Sequence, residues 1–280
     1  MKKLLGFFLA LLPLAAWAQP IKFGLTNLVP GRVFEFSIPL SAQAKGAANQ
    51  AGNSFVNTAR FGLAVPAGFD LKKPWQLLIV SSPSGGSPIA ALRGYTNVAL
   101  AEGWVLFAAE GPAQTQPKYD TFAWRGVMLG SALDTLHRNW PESARWPVAC
   151  AGFSGGAKMS GSLGAILARQ NYELIGIFMG GCNEDRATFG FNTHQPGEAF
   201  HQVPIFLSSG DTDPIATPEQ HKTVRASMGE SGFINVRLST YAGGHQLNNE
   251  ELRTALNWFV AQAAGEKKAR EALSKVPGTN

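Results

Sequence analysis

The sequence predicts an α/β protein, a mostly parallel β-sheet with helices on both faces. Three observations carry this. From about residue 60 onward, short apolar runs at 61–65, 77–80, 105–109, 148–151, 175–179, 205–207 and 236–241 are mostly followed by Gly, Pro or Ser, as buried strands ending in turns are. Apolar residues also recur at helical spacing in Leu129, Ala132, Leu133, Leu136 and Trp140, in Met159, Leu163, Ile166 and Leu167, and in Leu252, Ala255, Leu256, Phe259 and Val260. Strands alternating with helices are joined by crossovers, and crossovers make neighbouring strands parallel. Lastly, a 280-residue chain that is 45% hydrophobic and 15% charged can bury one large core, so 19–280 is expected to be a single domain.

Taken from the amino end, residues 1–18 read as a signal peptide. Lys2 and Lys3 precede an apolar stretch over 4–15, and Ala16-Trp17-Ala18 supplies a small-x-small cleavage site before Gln19. The apolar stretch is shorter than the roughly 20 residues a membrane helix needs, and no later run is longer. No cysteine follows the cut to carry a lipid. The mature chain is therefore expected to be secreted or periplasmic, with no membrane insertion after cleavage.

Removing the leader leaves 22 basic residues against 19 acidic ones, a weak charge. The basic residues are scattered. Lys267, Lys268 and Arg270 form the only dense run, in the charged C-terminal tail over 264–280, a helix or an extended tail with a solvated face, so a nucleic-acid partner is not expected. Residues 19–59, rich in Gly, Ala and Asn with one strand-like stretch at 32–38, are expected to form edge strands leading into the sheet. Thr217-Pro218-Glu219-Gln220 marks another helix start, with a cap residue, a first-turn proline and a Gln at the capping-box position.

Gly152-Phe153-Ser154-Gly155-Gly156 fits G-x-S-x-G, directly after the run at 148–151 and directly before the helix of Met159 and Leu163. A strand, a sharp turn and a helix in that order present a serine as nucleophile, with the positive end of the helix beside it. Serine attacks only if a histidine takes its proton, and that histidine needs an acid to fix its tautomer. The strand at 205–207 ends in Ser208-Ser209-Gly210, and Asp211-Thr212-Asp213-Pro214 follows, so the acid is expected there.

With these motifs the sequence resembles the α/β-hydrolase superfamily over about residues 60–263. Within it, Phe61-Gly62-Leu63-Ala64-Val65-Pro66-Ala67-Gly68-Phe69 looks like the opening strand of secreted esterases of the polyhydroxybutyrate depolymerase, feruloyl esterase and dienelactone hydrolase type. The resemblance implies Asp213 as the acid, from Gly210, two intervening residues and then Asp-Pro, with Asp211 as the fallback. It also implies His245, in Tyr241-Ala242-Gly243-Gly244-His245, as the histidine. His221 falls after the acid too, but beside Gln220 and Lys222 it is expected on a solvated helix face.

The oxyanion hole implied by the resemblance needs the N–H of Gly155 and a second donor from the loop after the strand at 77–80. In that loop, Ser81-Ser82-Pro83-Ser84-Gly85-Gly86, Ser82 stands where the family usually has His and Pro83 where it has Gly. Proline has no N–H. Ser84 is thus the expected donor, with Gly85 next.

Three further features remain. The connection 183–203 carries Phe189, Phe191, His194, Phe200 and His201 and is long enough to wall a substrate pocket; its two histidines, seven apart and without an obvious set of carboxylate or cysteine partners, make a weak metal set. Cys150 and Cys182 are staggered along neighbouring strands, which favours free thiols. Residues 152–158 lack the Gly-Lys-Ser/Thr ending of a phosphate loop. The implied function is hydrolysis of a small-molecule or polymeric carboxylic ester through an acyl-enzyme, with no cofactor and no metal. A serine peptidase on the same fold and a catalytically silent binding protein are the competing readings.

Overall fold

The computed structural model describes residues 20–50, 57–83, 86–110 and 121–273, so the expected signal peptide and Ser84 lie outside the described residues. β1 (Ile21–Phe23) and β2 (Thr26–Leu28) form a separate antiparallel ribbon. β3 (Phe34–Pro39) is the edge of the main sheet, and α1 (Ala42–Gln50) is a helix that the composition of 19–59 did not signal.

The chain then runs through β4 (Thr58–Ala64), β5 (Gln76–Ser81), α2 (Pro88–Arg93), α3 (Thr96–Ala101) and β6 (Trp104–Glu110). After α4 (Thr121–Asn139) come β7 (Val148–Phe153), α5 (Gly155–Arg169) and β8 (Leu174–Gly180). The last part holds α6 (Arg186–His194), β9 (Ile205–Gly210), α7 (Pro218–Glu230), β10 (Val236–Tyr241) and α8 (Asn249–Leu273). Each apolar run singled out above as a strand falls in one of β4 to β10, the run at 61–65 overrunning β4 by Val65. Of the two alternatives for the charged segment from 264 on, the described part is helix, since α8 continues to Leu273 without a break.

The eight strands lie in the order β10-β9-β8-β7-β5-β6-β4-β3. Pairing is parallel from β10 to β6 and antiparallel for β4 and β3. Alternation along each strand sends neighbouring residues to opposite faces. Leu77, Ile79, Phe107, Cys150 and Ile177 pack with Leu129 and Leu133 of α4 and Met159 and Leu163 of α5. Leu78, Val80, Leu106, Ala151 and Phe178 pack on the other face with Leu92 of α2, Val98 of α3 and Phe259 of α8.

This layering places the site. From β5 the chain steps to β6 on one side and then to β7 on the other, so the helices after these strands diverge at the carboxyl ends of β5 and β7. Open α/β sheets bind ligands in the crevice left at such a switch point. Ser154 stands there, directly after β7.

Candidate active site

One residue separates β7 from α5, and the chain turns sharply at it. Ser154 has φ 57° and ψ −123°, a left-handed conformation that costs a non-glycine residue about 1–3 kcal/mol. The flanking backbone holds it in place: the Ser154 N–H donates to the Gly180 carbonyl of β8 at 2.8 Å, and its own carbonyl accepts from the Ala157 N–H at 3.0 Å. The two motif glycines are forced by the tightness of the turn. A Cβ on Gly152 would lie 2.1 Å from the Gly156 carbonyl oxygen, and one on Gly156 would lie 2.2 Å from the Ser81 carbonyl oxygen.

Gly155 opens α5, so its N–H is one of the donors that a helix leaves without an internal partner. Pro83 packs over it, with the Pro83 Cα 3.1 Å from where a Gly155 Cβ would stand. Arginines hold both ends of the described part of this loop. Arg125, a buried residue of α4, donates from Nη2 to the Ser82 carbonyl at 2.8 Å, and Arg60 of β4 donates to the Gly86 carbonyl at 2.6 Å. Nothing in the sequence signalled either contact, since both join residues far apart in the chain.

The acid and the histidine come from the turns after β9 and β10. The Asp213 side chain is fully buried; its Oδ1 accepts from the Ile215 N–H at 2.8 Å and the Ala216 N–H at 2.9 Å, and its Oδ2 lies 2.7 Å from His245 Nδ1. Burial by itself raises a carboxyl pKa. The amide of Ala216, the His245 ring and the amide of Ile215 outweigh it and hold Asp213 below the usual carboxylate range. An ionised acceptor at Oδ2 places the His245 proton on Nδ1, which leaves Nε2 free to accept.

The His245 ring packs on that of Phe153, the residue before Ser154, with the centroids 4.7 Å apart. Asp211 does something different from Asp213. Its carboxylate accepts from the Gly243 N–H at 2.8 Å, and the Thr212 N–H donates to the Gly243 carbonyl at 3.0 Å, which ties the histidine turn down onto the end of β9. The Tyr241 hydroxyl donates to the Gln246 carbonyl and closes the same turn.

His221 corrects the sequence reading. It is fully buried, because His221, Val224 and Met228 form the inward stripe of α7. That spacing of three and seven residues was the signal that its polar neighbours masked.

The connection 183–203 is a packed crossover. α6 lies along α5, so closely that a Cβ on Gly190 would lie 3.0 Å from that of Ala165. Its first residues reach the turn that carries Asp213 and the first turns of α5 and α6, where Asn183 donates to the Ile215 carbonyl at 3.2 Å and Glu184 pairs with Lys158 and Arg186. His201 Nδ1 meets Glu198 at 3.1 Å, and its ring lies tilted on Phe191 and edge-on to Phe233. Among the described residues, no group of three or more His, Cys, Asp or Glu could hold a metal ion. Cys150 pairs in register with Ile177, five residues short of Cys182, and both thiols are free and buried, their pKa values pushed up to about 12 and about 11.

No family model and no curated protein matches the chain. Its structure is similar to that of the Pyrococcus furiosus esterase Pf2001, with 15% identity and a TM-score of 0.52 over 82% of this chain and 92% of that one. An alpha-beta serine hydrolase homologue from Coxiella burnetii gives 14% identity and a TM-score of 0.51 over 85% and 99%. A putative dipeptidyl aminopeptidase IV from Bacteroides ovatus gives 14% and 0.55 over 82% of this chain but 36% of that one, so the chain spans about a third of its length. The eight-stranded sheet, the strained serine turn at the switch point and these likenesses together establish that the protein has the α/β-hydrolase fold.

Proposed function

We propose that the protein is an exported serine hydrolase that cleaves a carboxylic ester through an acyl-enzyme on Ser154. One observation carries the reading. A serine held in a left-handed turn at the head of α5 shares the carboxyl edge of the sheet with a His245–Asp213 pair whose 2.7 Å bond leaves His245 Nε2 facing away from the acid. Strain at a serine that no turn rule requires, at the same sheet edge as a histidine held by a buried acid, is what nucleophilic catalysis needs.

In this mechanism Ser154 Oγ attacks the ester carbonyl while His245 Nε2 takes its proton. The Gly155 N–H, at the positive end of α5, and a second donor from the loop after β5 receive the charge on the carbonyl oxygen. The tetrahedral species collapses, the ester C–O bond breaks, and His245 returns its proton to the departing alcohol. Water then attacks the acyl-enzyme with His245 as base, releasing the acid and restoring Ser154. Asp213 keeps the proton on Nδ1 throughout and stabilises the transient imidazolium. The leader-like residues 1–18 support export, and no described helix is long and apolar enough to cross a membrane.

A fluorophosphonate probe and a panel of nitrophenyl esters, feruloyl esters and short peptides test the reading. Ser154→Ala is expected to abolish labelling and ester turnover alike. Turnover of peptides but not of esters would move the protein to the peptidases, and substantial turnover by pure Ser154→Ala would remove the serine from its role.

A further inference from the structure

His221 lies outside the triad, and its ring makes two hydrogen bonds with one possible arrangement of protons. Nδ1 is 3.2 Å from the Thr217 carbonyl oxygen, which can only accept, so Nδ1 carries the proton; Nε2 accepts from the Cys182 N–H at 3.0 Å. Each end of this bridge leads to the triad. Thr217 adjoins Ala216, whose amide holds the Asp213 carboxylate at 2.9 Å. Cys182 adjoins Gly181, against which the His245 ring rests, its Cε1 3.1 Å from where a Gly181 Cβ would stand.

We propose that His221 is a positioning residue for the triad: its neutral ring locks the turn that carries Asp213 onto the turn that supports His245, and a second proton opens the lock. The proposal rests on Ser154, Asp213 and His245 acting as the triad. A proton on Nε2 would face the Cys182 N–H, donor against donor. The groups facing the ring are Asp213 from the turn after β9, which favours its charged form, and His245 from the turn after β10, which disfavours it. From the turn after β8 comes the Cys182 thiol, with Lys158, Glu184 and Arg186 acting on it from beyond. Burial is the largest effect and pushes His221 below the ordinary histidine range.

The test compares the full chain with His221→Gln, His221→Asn and His221→Leu, measuring kcat and KM for a nitrophenyl ester across pH, with thermal unfolding alongside. Gln can present an acceptor near the Nε2 position but does not titrate. Asn can mimic the Nδ1 donor but cannot reach Cys182. At pH 8 the Gln variant is expected to keep kcat within about threefold, while folded Asn and Leu variants lose about tenfold or more with KM nearly unchanged, the signature of misplaced catalytic groups. Below about pH 6, wild-type kcat/KM is expected to fall with one more proton than that of the Gln variant.

Asn and Leu variants matching wild type at pH 8 would overturn the proposal, as would identical acid limbs for wild type and Gln. If Leu does not fold, the Gln and Asn pair decides. Wild type inert toward esters and fluorophosphonate would instead sink the hydrolase reading. Amide hydrogen exchange then judges the lock: faster exchange at Ile215 and Ala216 in Asn but not in Gln supports it, and unchanged exchange in both refutes it.

Discussion

His245 Nδ1 and Asp213 Oδ2 meet at 2.7 Å although the two residues stand 32 positions apart. The parallel pairing of β9 and β10 explains the meeting. Gly210 and Tyr241 are register partners, so the turns that follow leave the same edge of the sheet side by side. Asp211 and Asp213 both lie in the first of these turns, yet one bonds the backbone of the histidine turn and the other bonds the ring.

That division of labour ranks two substitutions. Asp213→Asn is expected to lower kcat by about 10³ to 10⁴, because an amide that donates to Nδ1 selects the wrong tautomer. Asp211→Asn keeps an oxygen acceptor for the Gly243 N–H and should stay within about threefold of wild type. Steady-state kinetics on one ester decides, and the opposite ranking would transfer the acid's role to Asp211.

The serine turn leaves no room for a Cβ at Gly152 or Gly156. Gly156→Ala puts a methyl group 2.2 Å from the Ser81 carbonyl oxygen, a backbone atom that cannot swing aside, so β5 and α5 must separate. Loss of fluorophosphonate labelling together with a thermal midpoint lower by several degrees or more is expected. Gly155→Ala meets Pro83 at 3.1 Å and should be milder, since a loop can yield where a strand cannot. Equal tolerance of both substitutions would contradict the packing described.

The second oxyanion donor is tested by the one substitution that removes an N–H. Ser84→Ala keeps the amide and should be nearly harmless. Ser84→Pro should lower kcat by about 10² to 10³, the usual cost of one lost donor. Thermal unfolding measured alongside separates this from a distorted loop. Near-normal kcat in folded Ser84→Pro would place the donor elsewhere.

Stability should fall toward acid in two windows. His221 is held below its ordinary pKa by burial, so from about pH 6.5 downward the unfolded chain takes up a proton there that the native protein refuses, and stability drops until the folded-state pKa is passed. Asp213 is also held low, so its contribution is complete above about pH 4 and is lost as pH falls through its folded value. Thermal midpoints measured from pH 8 to pH 3 should therefore show a flatter upper window in His221→Gln. An unchanged slope in that variant would mean that another group refuses the proton.

Local pattern alone made much of this protein legible. Short apolar runs marked β4 to β10 and period-3.6 spacing marked α4, α5 and α8, because those residues face a core whichever neighbours they meet, while a capping signal marked the start of α7. The serine turn was readable as well, since Gly152, Ser154 and Gly156 meet within one strand-to-helix step. The short helices α2 and α3 and the crossover helix α6 were not readable: too short for a clear period, they are held by packing onto the sheet and α5.

What only the tertiary structure decided depends on register and on contacts between distant segments. Strand order set Ser154 at the switch point; the β9–β10 register brought Asp213 to His245; the β7–β8 register kept Cys150 five residues from Cys182. His221 shows the limit most plainly. Its neighbours in sequence are polar, and only the docking of α7 against the turn after β8 buries its ring and turns it from a surface residue into a bridge between the two turns that hold the site. A sequence specifies such a residue through the whole packed arrangement, whose energy is shared among segments that are far apart along the chain.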